Sequence, residues 1–464
     1  MSAVSLEIVD LIIVAIFFIV TFLIGIIDRK KVRIEDYWVN SRKTNKFALV
    51  ASVVSTYMGA VAILALAGVT YSGAGLAAFS IVGSIFFYFF IFAKFFAPRI
   101  KEFGDKFHAY TLPDFLEFRY SKNVRIVGAL VILVSYSLWL ALQMLGVAAF
   151  VSAIIGFNPV IATIIGGFIV IAYTAIGGLR ADIRTDIFQF FIMLSLLIVF
   201  LPMLIVKGGG LDAISTLPTS FLIGTEFAPL YVFIFAFFFL GASTLTSAEL
   251  WQRSYAGDTK KNVRWAMGIS SILIVLFLAM SVLFGIYGRL LLPNANPNLI
   301  VPELLSLILP AGIFGIVLAG FFAAIMSTAD SILLVTSMTL VHDLYQKTFD
   351  KKLSPENLLK MSRWVTFIVG MLALSVALVV FNLVHLAIES LSFYVVLLPA
   401  IVFGFYWKKA TSNAAFWSII FGFITIVAFV FIDPVQAFIP GIIVGFLTFL
   451  IVNAFTKRKQ SVIQ

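Results

Sequence analysis

Apolar residues along this chain fall into runs of about twenty, the length a helix needs to cross a bilayer. The pattern predicts thirteen such spans, near residues 5–27, 47–72, 78–98, 126–152, 158–176, 187–206, 228–248, 266–288, 311–341, 364–383, 385–407, 414–432 and 436–455. The seventh and ninth are the least uniform, because GASTLTSAE and MSTADS lie inside them. The first run follows MSAVSLEIVD, which lacks a basic leader and is too long for a signal-peptide core, so it is expected as a retained span. The connections are short. Those at 28–46, 104–123, 207–229 and 288–310 are the longest, too short for an independent fold, and LPNANPN and KGGG mark turns within them. The whole chain, 1–464, is therefore expected to be one integral membrane domain.

Composition agrees: 62% of residues are hydrophobic and 12% charged, and the mean hydropathy is +1.11. With no cysteine and three histidines, neither a disulfide framework nor a thiolate or histidine-rich metal centre is expected. The net charge of +10 is explained by where the charges lie. Of 32 basic residues, 29 follow odd-numbered spans, Lys207 and Arg289 fall on the other side, and Lys94 sits inside span 3. By the positive-inside rule the amino terminus is expected outside and the carboxyl terminus in the cytoplasm. Orientation alone requires these charges, so nucleic acid is not an expected partner.

Two polar clusters bear on function. In FFAAIMSTADSILL (321–334), helical spacing stacks Ala324, Ser327, Thr328 and Ser331 on one stripe, with Asp330 beside Ser327. One helix face is thus rich in the oxygens that a hard monovalent cation takes. Serine and threonine hydroxyls can also bond back to their own helix or join helices, but an acid at this depth points to function. In span 2, Ser55, Thr56, Tyr57, Met58 and Gly59 predict a mid-span break that frees the carbonyls of Ser55 and Met58. Span 7 weakens similarly at 241–244, five spans later, the offset that relates broken helices in inverted repeats of five.

AAIMSTADS, the GGLRADIRTDIFQ segment (177–189), the EDYWVNSRK loop before span 2 and the thirteen-span pattern together resemble the sodium/solute symporter family. The resemblance covers nearly the whole chain. It implies an all-α membrane protein with a leucine-transporter-like core, spans 2–6 (47–206) and 7–11 (228–407) forming two inverted repeats and spans 1, 12 and 13 peripheral. It further implies that sodium is held by the carbonyls of Ser55, Met58 and Ala324 and the hydroxyls of Ser327 and Thr328. The family's acid in the TDxxQ segment falls on Asp186, on the sodium exit path or in a second site; with Asp330 and Ser331 it forms a candidate site for a second cation or a proton. A cap at the membrane surface for span 6 is the alternative for Asp186. One departure stands out: sodium/proline members carry an acid where this chain has Tyr57.

The solute is expected near the midplane between spans 2, 4, 7 and 11, lined by residues drawn from Tyr57, Tyr136, Trp139, Gln143, Ser243, Thr244 and Ser247, with Glu389 a further candidate. Few amides are present to bind sugar hydroxyls, which favours a small amino acid or organic acid. The expected activity is sodium-coupled symport of that solute by alternating access; a proton-coupled carrier using Asp330 or Asp186 is the competing reading. Polar residues cluster in a few helices and trace no continuous pore, which argues against a channel. His385 and Glu389 have the wrong spacing for a metal-enzyme motif.

Overall fold

A computed structural model describes residues 7–27, 33–155, 159–349, 353–378, 390 and 392–456. Among the described residues everything regular is helical, apart from one isolated bridge between Thr44 and Gly257. Helix occupies each of the thirteen expected positions, the eleventh only from residue 390 onward among the described residues. By length and apolarity alone, nine helices there could cross a membrane, or ten with one bent pair. The smaller count arises because breaks and continuations do not coincide with membrane crossings. Span 2 is divided at its centre, and its second half runs on into span 3 within Val61–Phe107.

Span 9, Ile313–Met338, is the axis of the bundle: 94% of its most apolar stretch is buried, against 22% for span 1. A helix apolar all round belongs either in lipid or in a protein core, and burial assigns this one to the core. Its outer end is secured by Asp10 of span 1, whose Oδ1 accepts hydrogen bonds from the amides of Gly312 (2.7 Å) and Gly315 (2.8 Å). An acid in the first apolar span is thereby explained as a cap on freed N–H groups. Asp10→Ala is expected to cost about 1–2 kcal/mol, read as a lower melting temperature of the purified protein; an unchanged melt would contradict the capping role.

Three irregularities position the site. Lys46–Tyr57 ends at Met58 (φ −91°, ψ 38°), after which the chain resumes through the widened turn Val61–Ala65. In span 7, Leu230–Thr246 and Ala248–Ala256 meet at 46° around Ser247, whose ψ is 104°. The predicted weak point, 241–244, is instead a tightened helical turn, and the chain departs from helix a few residues later. The helix after this break runs to Ala256, so Arg253 lies in the bundle core and not in a surface loop.

Spans 5 and 6 are joined without a loop. Pro159–Ser195 is one helical run kinked at Gly178, where φ is 65°. The Tyr37 ring lies where a Cβ on Gly178 would be, at 2.3 Å, so glycine is required both by the left-handed backbone and by close packing. Tyr37 fixes the kink further by contacting Thr366 Oγ1 at 3.2 Å. Asp182 and Asp186 therefore sit within a helix, buried, and Asp186 is no membrane-surface cap.

Candidate functional site

Where span 9 passes the break in span 2, its hydroxyls meet the freed backbone. Ser327 donates to the Ser55 carbonyl at 2.9 Å and to the Ala324 carbonyl at 3.0 Å. Thr328 donates to the Thr56 carbonyl at 2.7 Å and to the Ala324 carbonyl at 3.2 Å. Back-bonding and cross-helix bonding, set out above as alternatives, thus occur in the same two side chains. Ser55, Met58, Ala324, Ser327 and Thr328 are all buried. The arrangement concentrates carbonyl and hydroxyl oxygens at one point, and a hydroxyl can turn a lone pair toward a cation as readily as it donates its hydrogen.

Freed N–H groups at both breaks are met from span 4, Lys122–Ile155. Gln143 Oε1 accepts from the Ala60 amide at 2.7 Å, and the Tyr136 hydroxyl accepts from the Ala248 amide at 2.7 Å. Tyr136 in turn donates to the buried Glu249 carboxylate, to which Ser247 also donates. One continuous helix thereby satisfies two broken ones, which is what a non-helical backbone at membrane depth requires. Gly59 lies at the crowded centre of this arrangement: a Cβ there would come within 2.5 Å of both Gln143 Oε1 and Thr328 Oγ1. Gly59→Ala is expected to displace both and to reduce transport at least about tenfold through misplaced ligands. Uptake at near-normal rates with normal sodium affinity would show that the close approach is dispensable.

Deeper toward the basic face lies a second polar cluster. Asp182, Asp186 and Asp330 bring carboxylate oxygens within 4.8 Å of one another, all buried. Arg253 reaches into them: its Nη2 lies 2.9 Å from Asp182 Oδ2, 3.1 Å from Asp186 Oδ2 and 2.6 Å from Ser331 Oγ, and its Nε donates to Ser52 Oγ at 2.8 Å. Ser52 donates to Asp186 at 2.6 Å, and the Ser331 hydroxyl lies 3.1 Å from that of Thr56, so spans 2, 6, 7 and 9 share one network. Asp186 Oδ1 is buried without a hydrogen-bond partner and is available to a further positive charge.

A cavity of about 90 Å³ lies on the other side of the break. Tyr57, Trp139, Leu240, Ser243 and Tyr394 are among its walls, from spans 2, 4, 7 and 11. The Trp139 and Tyr394 rings stack at 5.7 Å, and the buried indole Nε1 of Trp139 has no partner. Of the predicted liners, Tyr57, Trp139 and Ser243 face the cavity; Tyr136, Gln143, Thr244 and Ser247 serve the breaks or neighbouring side chains. Glu389 lies outside the described residues. Tyr57, at the position where the resemblance expects an acid, is a wall of this cavity, its hydroxyl 3.5 Å from Thr244 Oγ1.

Sequence reasoning missed Asp182, Arg253, Ser52 and Glu249. Arg253 lies in the mixed stretch SAELWQRSYAGD, where a charge reads as the end of a span and nothing local marks its depth.

Two broken helices packed on one almost entirely buried helix define a secondary transporter of the leucine-transporter class. The family model for the sodium:solute symporter family matches residues 37–422, and the chain belongs to that family. Among curated relatives, sodium/proline symporter 2 of Staphylococcus saprophyticus is 27% identical over 97% of this chain and 93% of its own length. The sodium/proline symporter of Salmonella typhimurium is 28% identical over 95% and 92%. Among solved structures, a Na+-coupled sialic acid symporter in a substrate-bound outward-open state matches with a TM-score of 0.81 at 19% identity, covering 98% of this chain and all (100%) of that one. A nucleobase-cation-symport-1 family transporter in a closed conformation gives 0.60 at 14% identity, covering 89% and 93%. These likenesses show the fold.

Proposed function

We propose that this chain couples entry of sodium to uptake of a small amino acid, with proline the favoured solute, across a membrane whose cytoplasmic face carries the basic loops. The observation that carries the reading is the meeting of Ser327 and Thr328 with the carbonyls of Ser55 and Thr56 across the break in span 2. Sodium is held there by the carbonyls of Ser55, Met58 and Ala324 and the two hydroxyls. An ion so placed bridges helices from the two proposed repeats, 47–206 and 228–407, which must separate when the inside opens. It therefore favours the outward-facing form and fixes the solute cavity on the far side of the same break. Inward potential contributes about 2.3 kcal/mol per charge per 100 mV, enough for roughly a fiftyfold solute gradient per sodium.

Proline is favoured by the relatives' names and by the cavity. Its walls are mostly apolar and aromatic, suited to a compact ring, and the unpartnered Trp139 Nε1 offers a donor to a carboxylate. Uptake of radiolabelled proline into proteoliposomes, driven by an imposed sodium gradient, tests the proposal. Uptake that ignores sodium but follows an imposed pH gradient would overturn it.

That second outcome is the prediction of the competing reading, and one observation favours keeping it. Three buried carboxylates gather beside one guanidinium, and Asp186 Oδ1 among them has no hydrogen-bond partner. We assign Asp182, Asp186, Asp330 and Ser331 to a second cation or to a proton, with the Asp186 oxygen that lacks a partner as its nearest ligand. Varying pH at fixed sodium separates the two occupants.

A further inference from the structure

We propose that Asp114, His342 and Asp343 form a binding site for a divalent transition-metal ion of the zinc type, at the end of span 9 that lies toward the basic loops. Ligand atoms of the three residues lie within 4.8 Å of one another, and all three side chains are buried. Asp114 comes from the short helix Leu112–Arg119 that precedes span 4, the other two from the widened turns Thr339–Gln346 that continue span 9. One imidazole and two carboxylates form a set that zinc and cobalt accept, whereas magnesium and calcium take oxygen alone.

Two observations point to an ion between these side chains. The first concerns the imidazole, whose Nδ1 lies 2.8 Å from Gln346 Oε1. An amide oxygen only accepts, so Nδ1 carries the ring proton and Nε2 presents its lone pair. That lone pair faces Asp114 Oδ1 at 3.2 Å and Oδ2 at 3.3 Å. Acceptors turned toward each other need a positive charge between them. A shared proton would draw nitrogen and carboxylate to about 2.7–2.9 Å. Adjacent ligands on a tetrahedral zinc, with bonds of about 2.0–2.1 Å, stand about 3.3 Å apart, and that is the spacing found here. The second observation is Asp343 Oδ2, which is buried without a hydrogen-bond partner while Oδ1 accepts from the Thr111 hydroxyl at 2.8 Å. A carboxylate oxygen left bare in the interior has lone pairs to give to a metal.

The surroundings hold the ligands in place. Asp114 Oδ2 accepts from the amides of Tyr110 (2.7 Å) and Thr111 (3.2 Å), and the His342 ring packs against Trp38 and Tyr110 with centroids 4.9 and 5.4 Å away. Lys347 competes for the site, its Nζ 2.6 Å from Asp114 Oδ1 and 2.5 Å from Glu117 Oε2. When the ion takes Asp114, Lys347 keeps Glu117. The bound ion then ties the end of span 9 to the helix that leads into span 4.

The test is equilibrium dialysis of the tag-free, detergent-purified, full-length protein, first stripped with a chelator, against zinc or cobalt(II). Zinc is expected to bind saturably in the presence of excess magnesium, and cobalt to give the intense visible absorption of a tetrahedral site. Asp343→Asn keeps the bond from Thr111 and is expected to weaken zinc at least about a hundredfold, since even the outer partners of a metal ligand are worth about 10–100-fold. Gln346→Ala, which releases the ring proton from its partner, is expected to cost about tenfold and covers the case in which the Asp343 variant does not fold. Glu102→Gln/Asp105→Asn, exposed acids on the same face, is expected to keep full affinity. Absence of saturable zinc binding, equal loss in that surface control, or undiminished affinity in the Asp343 and Gln346 variants overturns the proposal. A melting temperature that follows pH and ignores zinc assigns the gap to a proton and overturns it as well.

Discussion

Replacing Ser327 and Thr328 together by alanine is expected to abolish sodium-driven uptake. Each hydroxyl is one of five proposed ligands, and each also satisfies a carbonyl that the break in span 2 leaves exposed. A bond from a polar group to a charged partner contributes about 1.5–3 kcal/mol, so losing both weakens sodium by roughly two to four orders of magnitude. The single variants fall between, and Ser327→Thr or Thr328→Ser, which keep the oxygen, retain measurable coupling. The relevant readout is the sodium concentration for half-maximal uptake alongside the melting temperature. A large shift in the first with a modest change in the second marks loss of an ion ligand, whereas parallel collapse of both marks loss of helix packing. Retention of wild-type sodium affinity in the double variant is the outcome that removes this site.

Arg253→Met is expected to be the most destabilising single change in the protein. The side chain is fully buried, and its Nε and Nη2 serve Asp182, Asp186, Ser52 and Ser331 at once. Removing one member of a buried ion pair costs about 3–5 kcal/mol, because the partner charge stays behind. Here more than one carboxylate stays behind. Loss of yield and a clearly lower melt follow, with partial recovery in Arg253→Met/Asp186→Asn, which removes one orphaned acid. Arg253→Lys keeps the charge but offers a single nitrogen in place of the fork, so an intermediate result is expected. A melt for Arg253→Met within a degree or two of wild type would mean that the acids are already neutral and the arginine is not their counter-charge.

The parts of this site that could be read in the sequence are those where depth and period act on the same residues. Ser327 and Thr328 lie mid-run in an apolar helix at spacing that shares a face, and STYMG puts a glycine and polar groups at the centre of a span. Both features are local, so both were legible. Asp182 and Arg253 were not, for one reason: helices that were expected to end at a charged residue continue past it. Pro159–Ser195 runs through the predicted loop because Gly178 absorbs the turn in one residue, with Tyr37 filling the space. Ala248–Ala256 carries Arg253 inward because Ser247 breaks span 7 deep in the bundle, after which helix resumes. A hydropathy run marks a charge as the end of a span, yet a charge neutralised by a distant span can lie within one. Tyr136 and Gln143 are both expected solute liners, but which partner each finds, the solute or a freed amide, depends on packing between spans 2, 4 and 7.

The central claim is that sodium sits between the break in span 2 and the hydroxyls of span 9, and the most direct measurement is equilibrium binding of radioactive sodium to the purified protein. Wild type is expected to bind saturably, Ser327→Ala/Thr328→Ala to lose at least one equivalent, and Asp186→Asn to retain it. Equal stoichiometry and affinity in wild type and the double alanine variant would contradict the account.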